Sequence, residues 1–135
     1  MKKKCIFVAH ELEGLELITA ALADYDLIVV QDASAAEARI GDAIDLYLIG
    51  IHFDDSRAVE LVGSIRQVEK QSTVPIVMIR MLPSKVVDIL RITATTLIRA
   101  GAISHYLELE NDGEAEAKIR KAVSEALSAD AHQAS

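Results

Sequence analysis

Five short apolar runs alternate with longer amphipathic stretches, and this alternation constrains the fold more than any other feature of the chain. The runs Cys5–Ala9, Leu27–Val30, Asp45–Ile51, Ile76–Ile79 and Ile103–Leu109 read as strands. Strands that are apolar on both faces and separated by helices belong to a parallel sheet covered on both sides. Right-handed crossovers then leave chiefly one arrangement, a doubly wound α/β fold with a five-stranded parallel sheet in the order 2-1-3-4-5.

The stretches between the runs carry helical stripes and stop signals. Leu15, Ile18 and Leu22 line one side of a helix over Leu12–Ala23. Ser34 with Glu37 three residues on forms a capping box for a short helix ending near Gly41. Arg57–Lys70 turns Ala58, Leu61, Val62, Ile65 and Val68 inward. Pro83 and Ser84 start a long fourth helix that runs to about Ala100 and stops at Gly101. Asn111 and Asp112 offer capping oxygens for the last helix, Glu114–Leu127, with Ala115, Ile119, Ala122, Val123 and Ala126 on its stripe. Beyond Ser128 the apolar period is lost. The expectation is therefore one domain over residues 1–128 and a frayed tail over 129–135.

Composition narrows the function. The chain has 135 residues, 51% hydrophobic and 26% charged, as expected of a globular domain able to bury its own core. Its net charge of −7 argues against nucleic acid as a partner, because phosphate binding requires a basic face. Lys2–Lys4 reads as a solvated terminus. Cys5 is the only cysteine, which excludes an internal disulfide and a cysteine-based metal cluster. The apolar stretch after Lys4 is too short for a signal peptide, and no segment has the length to cross a bilayer. A cytoplasmic protein without a membrane partner or a cofactor is expected.

Three phrases are more specific. Asp45-Leu46-Tyr47-Leu48-Ile49, Val74-Pro75-Ile76-Val77, and Arg99-Ala100-Gly101-Ala102 followed by Tyr106-Leu107 resemble the third-, fourth- and fifth-strand phrases of response-regulator receiver domains. The resemblance extends from Lys4 to about Leu127. It implies an aspartate at the end of strand three that accepts a phosphoryl group. It also implies acids after strand one that hold Mg²⁺, and a hydroxyl and a lysine that meet the phosphoryl oxygens. On this chain the acidic pair falls on Ala9 and His10, the acceptor on Gly50, the hydroxyl on Arg80 and the lysine on Leu109. Glycine offers no nucleophile and leucine neutralises no charge. The sequence thus resembles a degenerate pseudo-receiver, without the phosphorylation chemistry of the family.

Other polar residues fall at the same end of the sheet. His10, Glu11, His52, Asp54 and Asp55 belong near the carboxyl ends of strands one and three, where doubly wound sheets place ligands. Histidine with carboxylate suits a transition metal, but the spacing matches no zinc motif, so these read as polar residues rimming a disused pocket and no metal is expected. Arg80 either draws an anion into the mouth or plugs it by pairing with Glu11, Asp54 or Asp55. The cobalamin-type pattern Asp-x-His-x-x-Gly fails, since Val8 replaces the aspartate and Gly14 follows His10 by four residues. His105 is assigned a structural role along strand five.

The fourth helix carries the strongest positive signal. Val86, Leu90, Thr93 and Leu97 form one stripe, while Val87, Ile89, Ile92 and Ile98 spread apolar surface further round the cylinder. Candidate interface residues are Val86, Ile89, Leu90, Ile92, Thr96 and Tyr106, on a face shared by the fourth helix, fifth strand and last helix. Two functions follow: a protein–protein interaction module of bacterial-type signalling, pairing with a partner or with itself, or a sensor of a small anion or nucleotide at the mouth around Arg80. Catalysis is disfavoured, because no nucleophile–base pair stands at a workable spacing.

Overall fold

The computed structural model describes residues 3–41, 43–53, 57–68, 74–82, 88–110 and 113–134, with the side chains at 82, 88–90 and 129–134 excepted. Among these residues lie strands β1 (Cys5–Ala9), β2 (Asp26–Val30), β3 (Leu46–Gly50), β4 (Ile76–Leu82) and β5 (His105–Glu110). They pair in parallel in the order β2-β1-β3-β4-β5, the doubly wound topology expected from the alternation. The connecting helices are α1 (Leu15–Ala21), α2 (Ala33–Arg39), α3 (Ala58–Val68), α4 (Asp88–Arg99) and α5 (Ala115–Ala134).

Because successive strand residues point to opposite faces, each strand contributes to two cores. Ile6, Val8, Leu46, Leu48, Val77 and Ile79 pack with Ile18 and Leu22 of the α1 region and with Ile119 and Val123 of α5. Phe7, Ala9, Tyr47, Ile49, Ile76 and Met78 pack on the opposite face with Ala36 of α2 and Leu61, Val62 and Ile65 of α3. Burying each large aliphatic side chain contributes about 1.5–3 kcal/mol, so β1 and β3, buried on both faces, are the rigid floor of the molecule. Phe7 and Tyr47 add a tilted aromatic pair with centroids 5.0 Å apart. The Tyr47 hydroxyl accepts a bond from the Gly41 N–H at 3.2 Å, so its polar tip is satisfied.

Several element ends differ from the sequence expectation, each for a local reason. The chain turns at Gly14, whose φ of +93° is the left-handed region, so α1 starts at Leu15 rather than Leu12. The cap of α2 is Asp32, not Ser34: Asp32 keeps an extended backbone and its carboxylate accepts from the Ala35 N–H at 2.8 Å. Val68 points to solvent instead of inward, and the buried stripe of α3 ends at Ile65. Arg66 beside it donates to the carbonyls of Val74, at 2.9 Å, and Ala102, at 3.0 Å, tying α3 to the ends of two other segments.

Gly101 stops α4 as expected. Its φ is +75°, its N–H reaches the Ile98 carbonyl at 3.0 Å, and the Ala102 N–H reaches that of Leu97 at 2.9 Å. The expected start of this helix at Pro83–Ser84 lies outside the described residues, as do Lys70, Asn111 and Asp112. β4 runs to Leu82, past the expected end at Ile79, which places Arg80 inside the sheet. The backbone of α5 stays helical to Ala134, beyond the expected end at Leu127 and through most of the expected tail. Among the described residues no helix is long and apolar enough to cross a membrane.

Candidate functional site

The carboxyl ends of β1 and β3 lie side by side, with Ala9 opposite Ile49 in the register. His10, the next residue after β1, is anchored by its N–H to the Val30 carbonyl at 3.3 Å. Its side chain is 2% exposed. Nδ1 lies 2.9 Å from the Glu11 carbonyl oxygen; a carbonyl can only accept, so Nδ1 carries the proton and donates. The ring then lies directly against Gly50. A Cβ on Gly50 would stand 2.8 Å from Nε2 and 3.1 Å from Cγ of His10, with Cδ2 closer still. On the other side a Cβ on Gly14 would stand 3.0 Å from Cε1. The imidazole is held between two glycines and fills the volume that a side chain at position 50 would need.

The side chain seated against the acceptor position is His10. Arg80 is 1% exposed and makes an ion pair with Glu108 on β5, Nη1 to Oε2 at 3.0 Å; Asp54 and Asp55, two of its expected partners, lie outside the described residues. Arg80 and Glu108 are register partners across β4 and β5 and so share one face of the sheet. Glu108 is also engaged from α4. Arg91 Nε lies 2.9 Å from both carboxylate oxygens, and its Nη2 lies 2.8 Å from Oε1. The Tyr106 hydroxyl donates to Oε2 at 3.1 Å.

These neighbours set the titration of the cluster. The Arg91 hydrogen bond holds the Glu108 carboxyl below the usual carboxylate range; partial burial opposes it, and the Tyr106 hydroxyl and the charges of Arg91 and Arg80 reinforce it. Burial pushes the Tyr106 phenol up, and the Glu108 charge pushes it further. Neither Glu108 nor Arg91 stood out in the sequence. The β4–β5 register brings Glu108 to Arg80, and the placement of α4 brings Arg91 to Glu108.

Among the described residues, the positions that correspond to the acceptor and the acidic pair offer no carboxylate. The acceptor position, Gly50, is the last residue of β3 and has no side chain, and Ala9 beside it is a buried methyl. Leu109, at the lysine position, is fully buried in the core beneath α5, on the opposite face from Arg80. Mg²⁺ takes oxygen ligands, carboxylates above all. A methyl, a glycine and an imidazole whose Nδ1 proton is already donated do not fit it. Glu11 and His52 are half-buried after β1 and β3, while Asp54 and Asp55 lie outside the described residues. Among the described residues no three His, Cys, Asp or Glu side chains are grouped to hold a metal ion.

The α4 face is mixed. Ile92 is 65% exposed and Ile98 43%, yet Arg91, Thr95, Thr96 and Arg99 are exposed among them. Ala94 is fully buried and Leu97 packs half-buried on the second core. Val86 and Val87 lie outside the described residues, as do the side chains of Ile89 and Leu90. Tyr106 is half-buried beside the helix and turned toward Glu108.

No protein-family model matches the chain, and no curated protein matches it by sequence. Solved structures do match in shape. The phosphorylated cyanobacterial phytochrome response regulator RcpA superposes with a TM-score of 0.70 at 16% identity, over 89% of this chain and 91% of that one. A protein of Chloroflexus aurantiacus assigned as a response regulator gives 0.73 at 16% identity, over 94% and 99%. The signal receiver domain of a protein of Vibrio parahaemolyticus assigned as the LuxO repressor gives 0.72 at 12% identity, over 98% and 95%. Over nearly its whole length the chain therefore has the receiver fold.

Proposed function

We propose that the chain is a receiver-fold signalling module that has given up phosphotransfer and works by protein contact in the cytoplasm. The observation that carries this reading is the His10 imidazole seated against Gly50. An acceptor aspartate needs a carboxylate at that place, a cation beside it and room for an incoming phosphoryl group. Here position 50 has no carboxylate, positions 9 and 10 have no acid for Mg²⁺, and a buried ring takes the room. The reading of an anion sensor has less support, because the Arg80 guanidinium on which it rests is buried and ion-paired to Glu108. What remains to act is surface. The face formed by α4, β5 and α5 exposes Ile92 and Ile98, and apolar side chains there suit a partner protein or a second copy of the chain.

Two measurements test the reading. Incubation with a small-molecule phosphodonor and Mg²⁺, followed by intact-mass determination, is expected to add no phosphoryl group; a Mg²⁺-dependent adduct would overturn the loss of phosphotransfer. Light scattering after gel filtration, read beside circular dichroism, tests the contact. Ile92 is exposed, so Ile92→Glu is expected to leave the fold intact and to abolish the self-association of the wild type. A wild type that stays monomeric at high concentration removes the second copy as the occupant. An Ile92→Glu variant that unfolds shows position 92 to be core.

A further inference from the structure

The described part of helix α4 joins the sheet through both apolar and charged side chains. Among its described side chains Ala94 alone is buried, while Thr93 and Leu97 are half-buried. Against this stands one charged cluster: Arg80 from β4, Tyr106 and Glu108 from β5, and Arg91 from α4. The two ion pairs of Glu108 differ in kind. The inner one joins side chains that are 1% and 21% exposed, and the outer one joins side chains that are 54% and 21% exposed.

Breaking the inner pair leaves a guanidinium with its charge in the protein interior, which is strongly unfavourable. Breaking the outer pair costs little, because Arg91 is already half in water, and the carboxylate keeps Arg80 and Tyr106 as partners. The outer pair does have the good geometry of an Arg–carboxylate fork, so it is a real constraint while closed.

We propose that Glu108 is a two-limbed latch: the inner limb to Arg80 fixes its carboxylate on the sheet, and the outer limb to Arg91 clamps α4 and opens without unfolding the domain. The placement of α4 is thereby tied in part to an exposed charge pair. On the reading that the α4 face meets a partner, a carboxylate or phosphate of that partner that reaches Arg91 competes with Glu108 and releases the helix. Contact chemistry at the surface is thus converted into a change in the position of α4.

The latch is tested without any partner, so its failure is distinct from failure of the contact reading. Arg91→Gln removes the outer limb and leaves the inner limb in place. Hydrogen exchange at the amides of Asp88–Arg99 is expected to speed up about five- to tenfold, while amides of β1 and β3 and the melting temperature stay at their wild-type values. Arg91→Lys, a cation without the fork, falls between the two. In the wild type, raising the salt concentration toward about 1 M screens the exposed pair and moves α4 exchange in the same direction. Glu108→Gln removes both limbs and adds a global loss of stability to the α4 effect. Unchanged α4 exchange in Arg91→Gln overturns the proposal. So does an acceleration shared equally by α4, β1 and β3, since that reports general destabilisation and no local latch.

Discussion

Replacing Gly50 by alanine is the sharpest test of how the mouth of the sheet is filled. The new methyl would stand 2.8 Å from His10 Nε2 and 3.1 Å from Cγ, with Cδ2 nearer. Ordinary carbon contacts begin near ~3.5 Å, so the ring must retreat by roughly 0.7–1 Å. It cannot do so freely. Nδ1 is bonded to the Glu11 carbonyl at 2.9 Å, and Gly14 closes the far side of the ring. Overpacking of this kind costs about 1–3 kcal/mol, and losing the buried hydrogen bond adds about 1 kcal/mol. A total of about 3 kcal/mol corresponds to a fall in melting temperature of roughly 10 °C for a chain of this size. His10→Ala alone leaves a cavity, and its cost is expected at about 2–3 kcal/mol. In the double variant the methyl at 50 has nothing to strike, so it should be no less stable than His10→Ala. The cycle then gives a coupling of about 3 kcal/mol. The assay is urea denaturation of all four proteins followed by circular dichroism. Additive effects, or a Gly50→Ala variant as stable as the wild type, would refute the seating of His10 against Gly50.

Arg80→Ala is expected to lower stability by about 2–4 kcal/mol in the same assay, since it removes a buried partner of Glu108 and the packing of a large side chain; an unchanged melting temperature would contradict its burial. Gly63→Ala is expected to raise stability by roughly 0.5–1 kcal/mol, because Gly63 lies inside α3 and an added Cβ meets nothing within 4 Å. Glu108 has a folded-state pKa below its unfolded value, so its contribution is present above the ordinary carboxylate range and is lost as pH falls through the depressed folded value. The difference in stability between wild type and Glu108→Gln should accordingly shrink across that acid window, as measured by thermal melts at stepped pH.

How much was legible in advance divides by the range of the forces involved. Strands and helices, their order, and the two-sided burial of the sheet were all readable, because apolar periodicity is a property of neighbours along the chain. So was the departure from the receiver pattern: Ala9 and Gly50 offer no carboxylate and Leu109 no amine in any conformation. Gly101 as the stop of α4 was readable for the same reason, since a left-handed residue favours glycine wherever it occurs. The cap of α2 was not. Asp32 and Ser34 are both good capping residues, and the choice depends on which of them keeps an extended backbone. The largest omissions were pairings between distant residues. That the His10 ring needs Gly50 bare depends on β1 lying against β3 in a register that puts Ala9 opposite Ile49. That Arg80 meets Glu108, and Glu108 meets Arg91, depends on the β4–β5 register and on where α4 rests. The sequence alone determined the order of the elements and which side chains stand at the ends of the strands. Only the tertiary structure decided which side chains fill the space, because volume and charge are matched across strands that the chain order does not make neighbours.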